Sequence, residues 1–81
     1  MRIQVRFFAS LVERVGAAHE VLDVDPGLDV AGLWTMLTER HPALGRLGYR
    51  PLVACDLEYS GWDRGLEGVG EVAFLPPVSG G

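Results

Sequence analysis

The sequence predicts an α+β fold in which one amphipathic helix packs on one face of a small mixed β-sheet. Two observations support this prediction. Short strand-like segments stand near both ends of the chain and in its second half, and one segment of strong helical periodicity, residues 30–37, lies among them. With 81 residues, 48% of them apolar and 22% charged, the chain fits one globular domain rather than a disordered segment.

The first strand is predicted where Ile3, Val5 and Phe7 alternate with polar residues. Phe8 breaks this alternation. If Phe7 faces the core, Phe8 faces the opposite side of the sheet.

A short helix and a second strand follow. Ser10 and Glu13 have the spacing of a capping box, and Gly16 is placed to end a helix of one or two turns. Residues 20–24 are typical of a second strand, which we expect to form a hairpin with the first. Residues 25–27, Asp-Pro-Gly, predict a turn after it.

The main helix has its apolar residues at i, i+3, i+4 and i+7: Val30, Leu33, Trp34 and Leu37. Asp29 is placed to cap its N-terminus, and Pro42 ends it soon after Arg40. Gly32 is expected to weaken it by up to ~1 kcal/mol relative to alanine.

Two or three more strands are predicted. Residues 52–57 form one of them, and the last begins at residue 71 or 72 and ends at residue 75, with glycine-rich turns between them. A single helix of this length covers only one face of a sheet, and the compact solution pairs the first and last strands in parallel at the centre. This is the β-grasp fold: a mixed sheet of four to five strands crossed by one main helix, plus a short helix. We therefore expect residues 1–75 to form one β-grasp domain, with residues 76–81 as an extended C-terminal tail.

The tail combines a proline pair with a diglycine. Pro76 and Pro77 favour extended backbone, so they are expected to leave the fold as a stiff spacer. Gly80 and Gly81 remove every Cβ next to the terminal carboxylate, which suits a channel too narrow for other residues. Residues 76–81 reach at most ~20 Å when extended. The pattern predicts a terminus that enters another protein's active site; the alternative is a frayed tail.

Composition argues against several classes of function. The net charge of −4 disfavours a nucleic-acid partner, which would require a basic patch. All seven basic residues are arginine, which excludes a Walker-type phosphate loop and a lysine nucleophile. No apolar run approaches the ~20 residues of a membrane span, and no signal-peptide segment follows Met1. We therefore expect a cytoplasmic protein with no membrane partner.

Other reactive residue types have a structural explanation. Cys55, the single cysteine, lies in an apolar strand and is expected to be a small buried residue rather than the carrier of a sulfur atom. His19 and His41 lack a second ligand at a metal-like spacing, so no metal site is predicted. Three carboxylates fit turn and cap positions better than a catalytic pair: Asp23, Asp25 and Asp29.

The chain resembles the small subunit of molybdopterin synthase, which belongs to the ubiquitin-like sulfur carriers. The resemblance covers the whole chain and rests on four segments: residues 5–9, 13–16, 30–37 and, most specifically, 70–81. The chain departs from the family pattern at three places: residues 68–71, Asp56 and Leu75.

This resemblance implies a tethered co-substrate with no permanently bound cofactor. A partner activating enzyme would use ATP to adenylate the carboxylate of Gly81, which is ionised at pH 7 because an α-carboxyl has a pKa of ~3.3–3.7. Sulfur from a donor protein would replace AMP, giving a C-terminal thiocarboxylate. The tail would then enter the large synthase subunit, and sulfur would pass to cyclic pyranopterin monophosphate to form the molybdopterin dithiolene. Besides Gly81, the entering residues would be Pro76, Pro77, Val78, Ser79 and Gly80.

A partner-facing surface is predicted at Phe8, Tyr59 and Leu75. Phe8 and Leu75 each follow a predicted core residue, Phe7 and Phe74, so their side chains point to the other face. In the family the matching positions form an apolar patch that contacts the large subunit. The alternative is a set of scattered surface hydrophobic residues, which are common.

Two other functions stay open. A carrier could serve a different recipient, in thiazole formation, tRNA thiolation or cysteine synthesis. A protein modifier would attach its terminus to lysines, as ubiquitin does; the absence of lysine would prevent chains on itself but not attachment to other proteins. A plain β-grasp interaction module would leave the diglycine unexplained.

Overall fold

The computed structural model describes residues 1–77 and contains one five-stranded sheet with helical segments. The elements in chain order are β1 (Arg2–Phe7), α1 (Ser10–Val15), β2 (His19–Asp23), α2 (Val30–Arg40), a 3₁₀ helix (Pro42–Arg46), β3 (Leu52–Cys55), β4 (Glu58–Ser60) and β5 (Glu71–Leu75).

The sheet has the order β2-β1-β5-β3-β4. β1 and β5 pair in parallel at its centre, with Val5 opposite Val72 and Phe7 opposite Phe74. The other pairings are antiparallel. This is the predicted mixed β-grasp arrangement, and its consequence is that the chain leaves the sheet from the central strand β5.

The core lies between the sheet and α2, which buries Val30, Leu33 and Leu37. Phe7 and Phe74 stack beneath it with ring centroids 6.4 Å apart. Burying side chains of this size is worth about 1.5–3 kcal/mol each, so these apolar faces hold α2 on the sheet.

Both ends of α2 follow from its sequence. The Asp29 side chain accepts a hydrogen bond from the Gly32 backbone N–H at 2.8 Å, as an N-cap should. Pro42 begins the 3₁₀ helix just after α2 ends. Gly32 has a packing reason as well: a Cβ there would lie 2.5 Å from Cδ1 of Leu28, which would have to move.

The capping-box prediction at Ser10 is wrong. The N-cap of α1 is Ala9, with φ 53° and ψ −130°, and no side chain caps the helix. Gly16 ends α1 in the left-handed conformation, φ 85°, as predicted.

The predicted third strand, residues 52–57, is shorter than expected. It ends at Cys55, and Asp56 and Leu57 form a tight turn into β4, giving a hairpin in place of one strand. The last strand, β5, spans Glu71–Leu75, which confirms the longer of the two predicted extents.

Candidate partner-binding surface

One face of the sheet is left uncovered, because α2 packs on the other. Along β1 the residues on the uncovered face, such as Arg6, are exposed while those between them are buried. Strand register aligns Arg6 with Ala73, Ala73 with Ala54, and Ala54 with Tyr59. Arg6 and Tyr59 therefore lie on the same face, separated by two alanines.

The two alanines form the floor of a shallow depression of about 220 Å³. Four larger apolar side chains line it: Phe8, Leu57, Tyr59 and Leu75. Arg6 and Glu71 add charge to its wall, and Nε of Arg6 lies 3.9 Å from a carboxylate oxygen of Glu71. The structure thus brings the predicted residues Phe8, Tyr59 and Leu75 together around one surface, which we call the sheet depression.

Exposure separates these residues from their core neighbours. Phe7 and Phe74 are buried, as predicted, while Phe8 is 41% and Tyr59 72% exposed. Leu75 is only partly exposed, less than predicted. The reason is its position: β5 is flanked by β1 and β3, and Leu75 lies opposite Leu52 of β3.

The two ends of the sheet depression differ. Phe8 and Leu75 lie at the end from which the chain leaves β5, because β1 and β5 run in parallel. Leu57 lies toward the other end, since the antiparallel register places Cys55 opposite Val72 near the start of β5. Sequence reasoning missed Leu57: the pair Asp56-Leu57 lacks the asparagine and glycine that normally mark a two-residue hairpin turn.

Asp56 connects the hairpin turn to β5. Its carboxylate accepts hydrogen bonds from the backbone N–H groups of Gly70, at 3.1 Å, and Glu71, at 2.9 Å. Its own backbone N–H donates to the carbonyl of Glu71 at 2.9 Å. The turn that carries Leu57 is thereby fixed to the strand that precedes the tail.

Only the start of the tail is described. Pro76 is partly buried and Pro77 is exposed. The predicted site residues Val78, Ser79, Gly80 and Gly81 lie outside the described residues.

Cys55 is buried, at 3% exposure, with its Sγ 3.2 Å from Oγ of Ser60. This agrees with a packing role. Asp25 and Asp29 accept backbone hydrogen bonds from Gly27 and Gly32, as turn and cap residues do.

His41 takes part in an ion-pair network with Glu20. Nε2 of His41 lies 2.7 Å from Oε1 of Glu20, and Nε of Arg40 donates to Oε2 at 2.8 Å. Partial burial alone would raise the pKa of Glu20, but hydrogen bonds from His41 and Arg40 outweigh it, so that the pKa lies below its ordinary value. The network connects β2 to the C-terminal end of α2.

Within residues 1–77, no cluster of three or more His, Cys, Asp or Glu side chains is arranged to hold a metal ion. None of the helices in that range has the length and apolar character needed to cross a membrane.

Known proteins share both the sequence and the fold. The molybdopterin synthase sulfur carrier subunit of Caenorhabditis briggsae is 33% identical, over 98% of this chain and 96% of that protein. The crystal structure of SAMP1 from Haloferax volcanii is 29% identical and superposes with a TM-score of 0.83, over 100% of both chains. A chain in the complex of subunits 1 and 2 of molybdopterin-converting factor from Helicobacter pylori has the same fold, with 24% identity, full coverage of both chains and a TM-score of 0.66. The sequence matches the ThiS family over residues 5–81, and the chain therefore belongs to that family.

Proposed function

We propose that this protein is the sulfur carrier subunit of a molybdopterin synthase and that Gly81 carries the sulfur as a C-terminal thiocarboxylate. One observation supports the proposal most strongly: the central strand β5 ends beside apolar side chains at the surface and is followed in the sequence by Pro76-Pro77 and then by the diglycine. Membership of the ThiS family and a near full-length relative of that function support it.

The chemistry begins at the carboxylate of Gly81. An oxygen attacks the α-phosphate of ATP in the activating enzyme, and pyrophosphate leaves. Sulfur at the oxidation level of hydrosulfide, released by a donor protein, then attacks the acyl carbon as the nucleophile, and AMP leaves, so that the terminus becomes a thiocarboxylate. ATP is thus a substrate of the activating partner, and the carrier holds no permanent cofactor. In the large subunit the thiocarboxylate sulfur forms a bond to carbon of cyclic pyranopterin monophosphate; water then cleaves the bond between the sulfur and the acyl carbon and restores the Gly81 carboxylate.

The folded part of the chain directs the tail. The sheet depression contains Phe8 and Leu75 at the exit of β5, and Tyr59 lies beside them. A large subunit bound to these residues fixes where the tail starts and in which direction Pro76 and Pro77 lead it. From there the tail reaches at most ~20 Å. The carrier therefore positions its terminus, while the partners supply the catalytic groups; all three steps are expected in the cytoplasm.

A second candidate function is protein modification. The observation that favours it is the likeness to SAMP1, a small archaeal modifier protein. Because the chain contains no lysine, conjugates would carry single copies rather than chains built on lysine side chains. Sulfur transfer for thiazole, tRNA or cysteine is a third possibility with the same activated terminus.

Reconstitution distinguishes these functions. The protein is incubated with an activating enzyme, ATP and a sulfur source, and then with the large subunit and cyclic pyranopterin monophosphate. We expect dithiolene formation with the full chain and none with a variant lacking Gly81. Dithiolene formation by that variant would overturn the proposal. A full chain that is thiocarboxylated, forms no dithiolene and becomes attached to lysines of other proteins would favour the modifier.

A further inference from the structure

The hairpin turn between β3 and β4 has a backbone that its residues do not favour. Asp56 and Leu57 have φ values of 48° and 72°, both in the left-handed region. Two-residue turns with two positive φ values normally contain asparagine and glycine, because a Cβ is strained there. Asp56 is compensated by its hydrogen bonds to Gly70 and Glu71.

Among the described residues 1–77, Leu57 has no comparable compensation. Its side chain is 87% exposed, the largest exposure among the large hydrophobic residues of the described chain. A glycine or asparagine would suit the backbone better and would expose less apolar surface. Leu57 therefore adds backbone strain and exposed apolar surface without stabilising the fold. A strained, exposed residue that does not stabilise the fold indicates a function such as binding.

The position of Leu57 indicates what that function is. It lines the sheet depression together with Phe8, Tyr59 and Leu75. Leu75 and Glu71 are four residues apart in β5, so the depression extends roughly 13 Å along the strand at ~3.3 Å per residue. A partner that contacted the sheet only near Leu75 would be free to change its orientation relative to the sheet. A second contact at Leu57 would fix the angle at which the tail enters.

We propose that Leu57 is a partner-binding residue whose side chain inserts into an apolar pocket of the protein that receives the tail. The proposal rests on the proposed function, and the protein that binds Leu57 is the large synthase subunit. Two features favour that partner. The tail starts directly after Leu75, which lines the same depression. The tail reaches at most ~20 Å, so the receiving surface must lie against this part of the sheet.

The test compares Leu57→Asn with the unchanged protein. Asparagine tolerates the left-handed conformation and removes the apolar side chain, so the midpoint of thermal unfolding should stay equal or rise. The affinity for the purified large subunit, measured by calorimetry, should fall at least tenfold. Leu57→Gly should behave in the same way. The matched control is Val21→Asn, which replaces a 44% exposed apolar residue of β2, on the far edge of the sheet, and should leave the affinity unchanged.

Each result has a distinct meaning. Binding by Leu57→Asn at the unchanged affinity overturns this proposal and leaves the proposed function intact. A lowered unfolding midpoint for both Leu57 variants also overturns it, since Leu57 would then serve the fold. If the unchanged protein itself does not bind the large subunit, the proposed function fails and this inference fails with it.

Discussion

Ala9 has a backbone conformation that is unusual for a residue with a Cβ. Its φ of 53° and ψ of −130° match the first central position of a turn that normally contains glycine. The turn is closed by the Leu11 N–H, which donates to the Phe8 carbonyl at 3.1 Å. Such strain costs of order 1–3 kcal/mol.

Within residues 1–77, three non-glycine residues have positive φ: Ala9, Asp56 and Leu57. Ala9 directly follows Phe8, and the other two precede Tyr59 by two or three positions. Leu57 lines the sheet depression, and Ala9 and Asp56 are next in sequence to residues that line it, Phe8 and Leu57. Backbone strain concentrated there is consistent with a binding surface.

Ala9→Gly should stabilise the protein. Glycine adopts this conformation without strain, and its greater freedom in the unfolded chain offsets part of the gain, leaving roughly 1 kcal/mol in the free energy of unfolding. Urea denaturation measures it. The matched control is Gly16→Ala, where φ is 85° and no atom lies within 4 Å of the added Cβ. It should destabilise by roughly 1 kcal/mol. A loss of stability in Ala9→Gly would show that Ala9 is not strained.

At the scale of elements, β2 and α2 are connected by Glu20. Its side chain is 15% exposed and contacts both Arg40 and His41 at the end of α2. His41 also packs edge-on against Phe7, with ring centroids 6.4 Å apart. The network therefore joins an edge strand to the helix that covers the core.

The lowered pKa of Glu20 predicts acid sensitivity. A group whose pKa is lower in the folded state contributes stability above its unfolded pKa and loses that contribution as the pH falls through its folded pKa. We expect the unchanged protein to exceed Glu20→Gln in free energy of unfolding near pH 7 and the difference to shrink as the pH falls below about 4.3. Denaturation at several pH values measures this. A difference that stays constant down to pH 2 would contradict the prediction.

Helices and strands that are determined by residues close to one another in the sequence could be predicted, and those that depend on distant residues could not. The spacing of apolar residues in α2 and its cap at Asp29 are local features, and both could be predicted. The β3–β4 hairpin was missed because its stability depends on Asp56 bonding to Gly70 and Glu71, far along the chain. The cap at Ser10 was wrong because the turn at Ala9 starts the helix without a side-chain cap.

Part of the candidate surface could also be predicted from the sequence. Because Phe8 follows a buried phenylalanine, its side chain was expected on the opposite face of the sheet. The partial burial of Leu75 depends on its neighbours across the sheet, which sequence alone does not supply.

At the scale of the whole molecule, the sheet depression, and not the whole uncovered face, should be the docking surface. Phe8→Asp and Tyr59→Asp should each weaken binding to the large subunit at least tenfold, because burying such a side chain is worth about 1.5–3 kcal/mol and ~1.4 kcal/mol is one decade in affinity. The fold should change little, since both residues are exposed. Leu75→Asp should also weaken binding, but its partial burial means that stability falls as well.

Calorimetric titration with each variant measures these affinities. Val21→Asp, on the edge strand β2, provides the control at a comparably exposed apolar position. Equal affinities for Phe8→Asp, Tyr59→Asp and the unchanged protein would place the docking surface elsewhere.

The location of the transferred sulfur tests the proposed mechanism most directly. The protein is treated with the activating enzyme, ATP and a sulfur source, and its intact and fragment masses are then measured. We expect one oxygen of the Gly81 carboxylate to be replaced by sulfur, in the unchanged protein and equally in Cys55→Ser, because the buried Cys55 takes no part. Sulfur found on Cys55 with the Gly81 carboxylate unchanged, or lost altogether in a folded Cys55→Ser variant, would contradict it.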